Sequence, residues 1–319
     1  MVNKMKLGLL GLGILANSFL YSQTNPNLSG NENLESKVVY ETPQVDSTTL
    51  ELEEYVINAI KKELNENELQ INWKEIDKGL YFTEIHPKKK SIIGNSKISV
   101  LKIDPKYYKF NLISSKENNE KNKTAKEWAE SKGLLAAINA GMYRGDHQTN
   151  TGFMKSYDFV NNNKLENDYN AIVAFNRKDK AFPEFQIIDL KCQSWDEMKD
   201  KYNSYVQGIR MIDCNQNNVW SQQNKKWSIS AIGKDKDGNA LFIFTRSPYS
   251  VYDFNNILLE SPLNIYNAMY LEGGPEASFY LNHNKIEIEK FGSYETDFYE
   301  SDENKQSLKI PNIIGITKK

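Results

Sequence analysis

From about residue 79 onward the apolar residues stop recurring at helical spacing and fall into short β-branched and aromatic runs. This change of period constrains the fold more than any other feature. GLYFTEIH (79–86), ISVLKID (98–104) and YYKFNLIS (107–114) are followed by AIVAFN (171–176), FQIIDL (185–190) and SYVQGIRMI (204–212), with Pro, Lys and Asn clusters between them. Runs of that length and composition suit the pleated, half-buried surface of a strand. WSISAIG and ALFIFTR flank Asp237-Gly238, a dipeptide that supplies the positive φ of a tight hairpin. Helices are fewer. Thr124 and Glu127 form a capping box for a short helix that Gly133 ends, SWDEMKD marks a second, and a capping box of Ser250 and Asp253 opens a third through Leu259. Strands outnumber helices and short turns join them, so the expected fold is α+β, a mixed or antiparallel sheet core with a few packed helices.

The 319 residues hold one large domain once the ends are discounted. Lys4 and Lys6 precede an apolar run from Leu7 to Leu15, and small and polar residues lead to Ser22. That order of charge, apolar stretch and cleavage region predicts a signal peptide over 1–22. The run is short for an uncleaved anchor, and no later segment is apolar enough to span a bilayer, so the mature chain is expected outside the cytosol, periplasmic or secreted. Residues 23–47 are rich in Asn, Ser, Glu and Pro and read as a flexible lead-in. Within 48–70, Leu52, Tyr55, Val56, Ala59, Ile60 and Leu64 recur at helical spacing, which leaves 71–319 as the main domain. Forty Lys and Arg against 42 Asp and Glu give no broad basic field, so neither nucleic acid nor an anionic membrane is an expected partner.

Export gives meaning to the two cysteines, Cys192 and Cys214, which can close one disulfide or remain as buried thiols. His86, His147 and His283 are scattered, none at ligand spacing, so no metal site is expected from them.

Two strands run into glycine turns that carry polar residues: Asn139-Ala-Gly-Met-Tyr143 and Leu271-Glu-Gly-Gly-Pro-Glu276. Together with Ala231-Ile-Gly233 before Asp237-Gly238, these segments resemble the phosphodiester glycosidase family, in order and spacing, over residues 130 to 315. Family members carry an N-G/A-G-hydrophobic-aromatic segment, then A-I-G before a D-G hairpin, then an L-D-G-G turn. Two departures stand out. Glu272 replaces the family's usual Asp, and Ile229 stands where an Arg is common.

The resemblance implies hydrolysis of a sugar joined through phosphate, an N-acetylhexosamine of a cell-wall or exopolysaccharide polymer. Such a bond breaks with oxocarbenium character and releases a stable anion, so the site needs one or two carboxylates and N–H donors around the phosphate. It needs no cofactor, although acids and backbone carbonyls admit Ca²⁺. On this basis Glu272 is the expected base or charge-stabilising carboxylate and Glu276 its helper, unless both are solvated acids of a tight turn. Gly273 and Gly274 are expected at positive φ, their N–H groups forming an anion-binding nest. Arg246, beside a helix N-terminus, is expected on the phosphate, with pairing to an acid as the alternative. Arg210 is a second candidate for that task, and Asp253 is either a substrate ligand or the acid of its capping box. Asn139, Gly141 and Tyr143 are candidate sugar ligands, with Asn139 alternatively bonding its own turn. Trp220 and Trp227 offer faces to a sugar ring or belong to the core. Loss of the reaction at Ile229, leaving a glycan-binding protein, is the competing function, and a phosphodiesterase is a third.

Overall fold

The computed structural model describes residues 54–57, 71–117 and 119–319, and the chain divides into compact units at Met1–Lys62 and Glu63–Lys319. The signal peptide and lead-in expected over 1–47 lie outside the described residues. Of the helix expected over 48–70, residues 54–57 are described and are helical.

The larger unit is built from three antiparallel sheets. The first has seven strands in the spatial order Lys74–Asp77, Leu80–Ile85, Ile98–Ile103, Ala240–Tyr249, Trp227–Asp235, Ile265–Gly273 and Arg210–Ile212. The second orders Phe159–Asn162, Met154–Ser156, Tyr202–Gly208, Ala171–Arg177 and Phe185–Asp189. The third orders Ile286–Phe291, Ser278–His283, Ala136–Asn139, Asn312–Lys318 and Tyr108–Ser114.

Facing residues of all three sheets meet in one core. Phe110 of the third sheet has its ring centroid 5.7 Å from Phe175 and 5.0 Å from Phe185 of the second, and 6.4 Å from Phe242 of the first. The opposite face of the seven-stranded sheet carries a second core around Val100, Ile229, Ile243 and Tyr249, closed by Phe254, Ile257 and Leu258 of the helix Val251–Glu260. Period-two alternation makes this possible, since Ile229 and Ala231 face that helix while Ile232 faces the central core.

The helices amount to less than an α+β fold requires. Ala125–Lys132 has the expected capping box and ends at Gly133 with φ +64°, and Trp195–Met198 is a single turn. At Val251–Glu260 the second capping box is only half formed, because Ser250 accepts from the Asp253 N–H while the Asp253 carboxylate turns to Lys89 at 2.6 Å. Sheet packs on sheet, and the architecture is mostly antiparallel β with few helices. The run SYVQGIRMI is two strands in two sheets, broken at Ile209, with Gly208 placed where a Cβ would lie 2.7 Å from the Tyr270 carbonyl. Among the described residues no helix is long and apolar enough to cross a membrane.

Candidate active site

The two glycine turns meet because their strands are neighbours. Ser278–His283 pairs antiparallel with Ala136–Asn139, Phe279 opposite Ile138, which brings Asn139 against the turn that follows Glu272. Asn139 is 1% exposed and its amide makes three hydrogen bonds inside the protein. Its Nδ2 donates to the Glu276 carbonyl at 2.9 Å, and its Oδ1 accepts from the Ser278 N–H at 2.7 Å and the Ser230 hydroxyl at 3.0 Å. Asn139 therefore joins three strands and fixes the Gly274–Glu276 turn, whereas the alternative to sugar binding had placed its bonds on its own turn.

Glu272 stands at a break in the ladder between Trp227–Asp235 and Ile265–Gly273. Ser230 opposes Glu272 while Ala231 opposes Tyr270, so Leu271 is an extra residue on its strand. A bulge of this kind bends the strand and re-aims the side chains beyond it. The Gly273 N–H then donates to Glu272 Oε1 at 3.0 Å. The expectation of two positive-φ glycines needs correcting. Gly273 is extended, with φ −134°, and it is glycine because a Cβ would collide with the Tyr270 hydroxyl and the Trp227 indole. Gly274 has φ +61° and opens the 3₁₀ turn Gly274–Glu276, where a Cβ would sit 2.6 Å from Glu295 Oε2. With one N–H held by Glu272, the turn is not the anion nest expected of it.

Around these residues opens a pocket of about 580 Å³. Its acids are Glu272, Glu276 and Glu295, its aromatic walls are Tyr143, Trp220, Trp227 and Tyr270, and His147 is the basic residue among those lining it. Burial pushes the Glu272 carboxyl up to about 8, with Glu276 and Glu295 adding to the shift and the Gly273 N–H opposing it. Burial also raises Glu276, helped by Glu295 and opposed by His147, and raises Glu295 against the pull of Lys225. The Tyr143 and Tyr270 hydroxyls are held neutral by burial and then by the glutamates. Such a site has a carboxyl group that keeps its proton at neutral pH beside others that can lose theirs, the pairing that acid–base chemistry at a sugar requires.

Glu295 and His147 were not singled out in the sequence. Glu295 sits in the polar stretch GSYETDFYE without a motif and reaches the pocket through bridges to Trp227 and Tyr299. His147 follows the Asn139 turn by eight positions on a loop whose position nothing local signals.

The two arginines lie away from this pocket. Arg246 donates to the Asp302 carboxylate at 2.6 Å and to the carbonyls of Phe291, Asp302 and Asn304, and it lines a separate cleft. Acid pairing, the alternative weighed for it, is what the structure shows. Arg210 donates to both oxygens of buried Asp189, at 2.8 and 3.0 Å, beside the Cys192–Cys214 disulfide. Asp253 faces Lys89, and Gly141, with φ +107°, makes room for Asn150. Ile229, where an Arg is common, is fully buried among the apolar residues under the helix.

The profile of the phosphodiester glycosidase family matches residues 132–317. The catalytic domain of zebrafish N-acetylglucosamine-1-phosphodiester α-N-acetylglucosaminidase, auto-inhibited by its pro-peptide, superposes with a TM-score of 0.50 at 13% identity, covering 79% of this chain and 83% of that one. A hypothetical protein from Synechocystis gives 0.49 at 12% identity over 79% and 64% of the two chains, and a putative exported protein from Burkholderia pseudomallei gives 0.45 at 8% over 69% and 73%. No curated protein matches the sequence. With more than half of its length covered by the family profile, and with the two glycine turns joined around one acidic, aromatic pocket, the chain belongs to the phosphodiester glycosidase family.

Proposed function

We propose that this chain is an exported hydrolase that breaks the bond between the anomeric carbon of an N-acetylhexosamine-like sugar and a phosphate oxygen, on a cell-wall or exopolysaccharide glycan. The observation that carries this reading is the placing of Glu272 and Glu276 in one aromatic-walled pocket, with Glu272 held protonated up to about pH 8 by burial. Glu272 gives its proton to the phosphate oxygen as the C1–O bond breaks. Water adds to C1 and yields its proton to Glu276, and the products are the free sugar and a phosphomonoester. The roles thus differ from the sequence expectation, because a carboxyl that is neutral at pH 7 serves as the acid. Tyr143, Trp220 and Trp227 flank the sugar, a ring with an apolar face that suits aromatic walls. The reaction as written needs no cofactor.

A non-catalytic glycan-binding protein is the second reading, favoured by the pocket's having no guanidinium among its described lining residues. Incubation with a GlcNAc-1-phosphodiester separates the two. Release of free GlcNAc that Glu272→Gln abolishes supports the hydrolase, binding without turnover supports the alternative, and release of GlcNAc-1-phosphate assigns cleavage to the other side of the phosphorus.

A further inference from the structure

A phosphodiester brings a negative charge into a pocket whose other fixed charges are carboxylates. Protonation of Glu272 removes one repulsion, but oxygens that stay ionised need an N–H donor. The arginines expected to provide it are committed elsewhere, Arg246 to Asp302 and Arg210 to Asp189. His147 is the basic side chain among the described residues lining the pocket, and its ring centroid lies 5.6 Å from that of Tyr143. Either protonation state of its ring offers an N–H.

The loop that carries His147 is built to hold it. Its φ is +55°, a left-handed conformation that few non-glycine residues adopt. That conformation is enforced from both sides. Asp146 accepts from the Gln148 N–H at 3.0 Å and from the Thr149 N–H at 2.8 Å. The His147 N–H donates to the Arg144 carbonyl at 2.8 Å, and the Asn122 amide donates to the His147 carbonyl at 2.8 Å. Arg144 and Thr149 close the loop with a further backbone bond of 2.8 Å. A strained residue over-determined by its surroundings at a pocket wall is a recurrent sign of function.

We infer that His147 reads the phosphate, contacting an oxygen of the phosphoryl group attached to C1 and so selecting sugar phosphates over neutral sugars. The inference deepens the functional reading above and rests on its choice of a sugar phosphate as ligand. Trp220 and Trp227 line the pocket, so intrinsic fluorescence reports occupancy without turnover. Full-length protein is titrated with N-acetylglucosamine 1-phosphate and with free N-acetylglucosamine. The variant is His147→Asn, because asparagine accepts a left-handed φ and keeps the loop, and His147→Lys supplies an N–H donor in place of the ring. The wild type is expected to bind the phosphate ester about tenfold tighter than the free sugar, equivalent to one charge-assisted contact. His147→Asn removes that preference while free-sugar affinity stays unchanged, and His147→Lys recovers part of it. Equal binding of ester and free sugar by the wild type overturns the inference, as does a preference that survives His147→Asn, or a variant in which both affinities fall alike. Hydrolysis of the diester, measured in parallel, reports on the hydrolase reading separately, since a protein that binds the ester through His147 without cleaving it refutes only that reading.

Discussion

Asn139 and Glu276 are 137 positions apart in sequence, yet the Asn139 amide donates to the Glu276 carbonyl at 2.9 Å. Through the same side chain, Ser230 and Ser278 are tied to the turn that carries Glu276. The backbone that carries Glu276 is thus held by a side chain only 1% exposed.

Asn139→Ala removes three buried hydrogen bonds and strands the Ser278 N–H and the Glu276 carbonyl. The expected loss is about 3 kcal/mol, from about 1 to 3 kcal/mol for each buried group left unpaired, partly relieved by the Ser278 hydroxyl that already shares the Glu276 carbonyl. Urea unfolding measures it, and a loss below about 1 kcal/mol would show that the three strands are held by other means.

Stability should fall as pH rises through the Glu272 titration. The folded carboxyl titrates near 8 against an unfolded value near 4.5, so between these values the native state binds more protons than the unfolded chain, and raising pH favours unfolding. Thermal denaturation from pH 5 to 8 tests this. The wild-type melting temperature should decline more steeply than that of Glu272→Gln, which has no proton to lose, and parallel profiles would contradict the assignment.

Activity should follow a bell. The upper limb lies near pH 8, where Glu272 loses the proton it donates, and the lower limb lies above the ordinary carboxylate range because burial and Glu295 raise Glu276. Glu272→Gln should cost about 10²- to 10⁴-fold in kcat, the usual contribution of general acid catalysis. Rates that climb steadily past pH 9 would assign the acid to another group.

Gly273→Ala should damage the pocket rather than the backbone, because φ at −134° accommodates alanine while the new methyl meets Tyr270 and Trp227. Overpacking of this kind costs about 1 to 3 kcal/mol, and ligand quenching of tryptophan fluorescence should weaken with it. An unaltered titration would show that Trp227 moves aside freely.

Reduction of Cys192–Cys214 frees a loop with a sequence separation of 22. Loop entropy sets the expected loss at about 3 kcal/mol, and calorimetry with and without reductant measures it. Asp189 receives the Cys214 N–H as well as Arg210, so Arg210→Ala combined with reduction should cost less than the sum of the two.

Much of this was legible in the sequence. Strands stood out where β-branched runs were bounded by turn residues, as at Leu80–Ile85 and Ala240–Tyr249, and the capping box at Thr124 located its helix to the residue. Short strands such as Met154–Ser156 escaped because three residues carry no period. The third-sheet strand Asn312–Lys318 escaped because its partners are distant in sequence. Within the site, Glu272, Glu276 and Tyr143 were marked by glycine turns and do line the pocket. The bulge at Leu271 and the arrival of Glu295 depend on strand register and on a loop, which no local pattern encodes. Arg246 and Arg210 misled because an arginine at a strand end reads alike whether it meets a ligand or a neighbouring acid.

The strand Asn312–Lys318 is inserted between Ala136–Asn139 and Tyr108–Ser114, and all of its ladder partners are made 174 to 210 residues earlier. During synthesis the strand that holds Asn139 therefore waits for both of its neighbours, and the sheet beneath the pocket corner is completed only when Asn312–Lys318 leaves the ribosome.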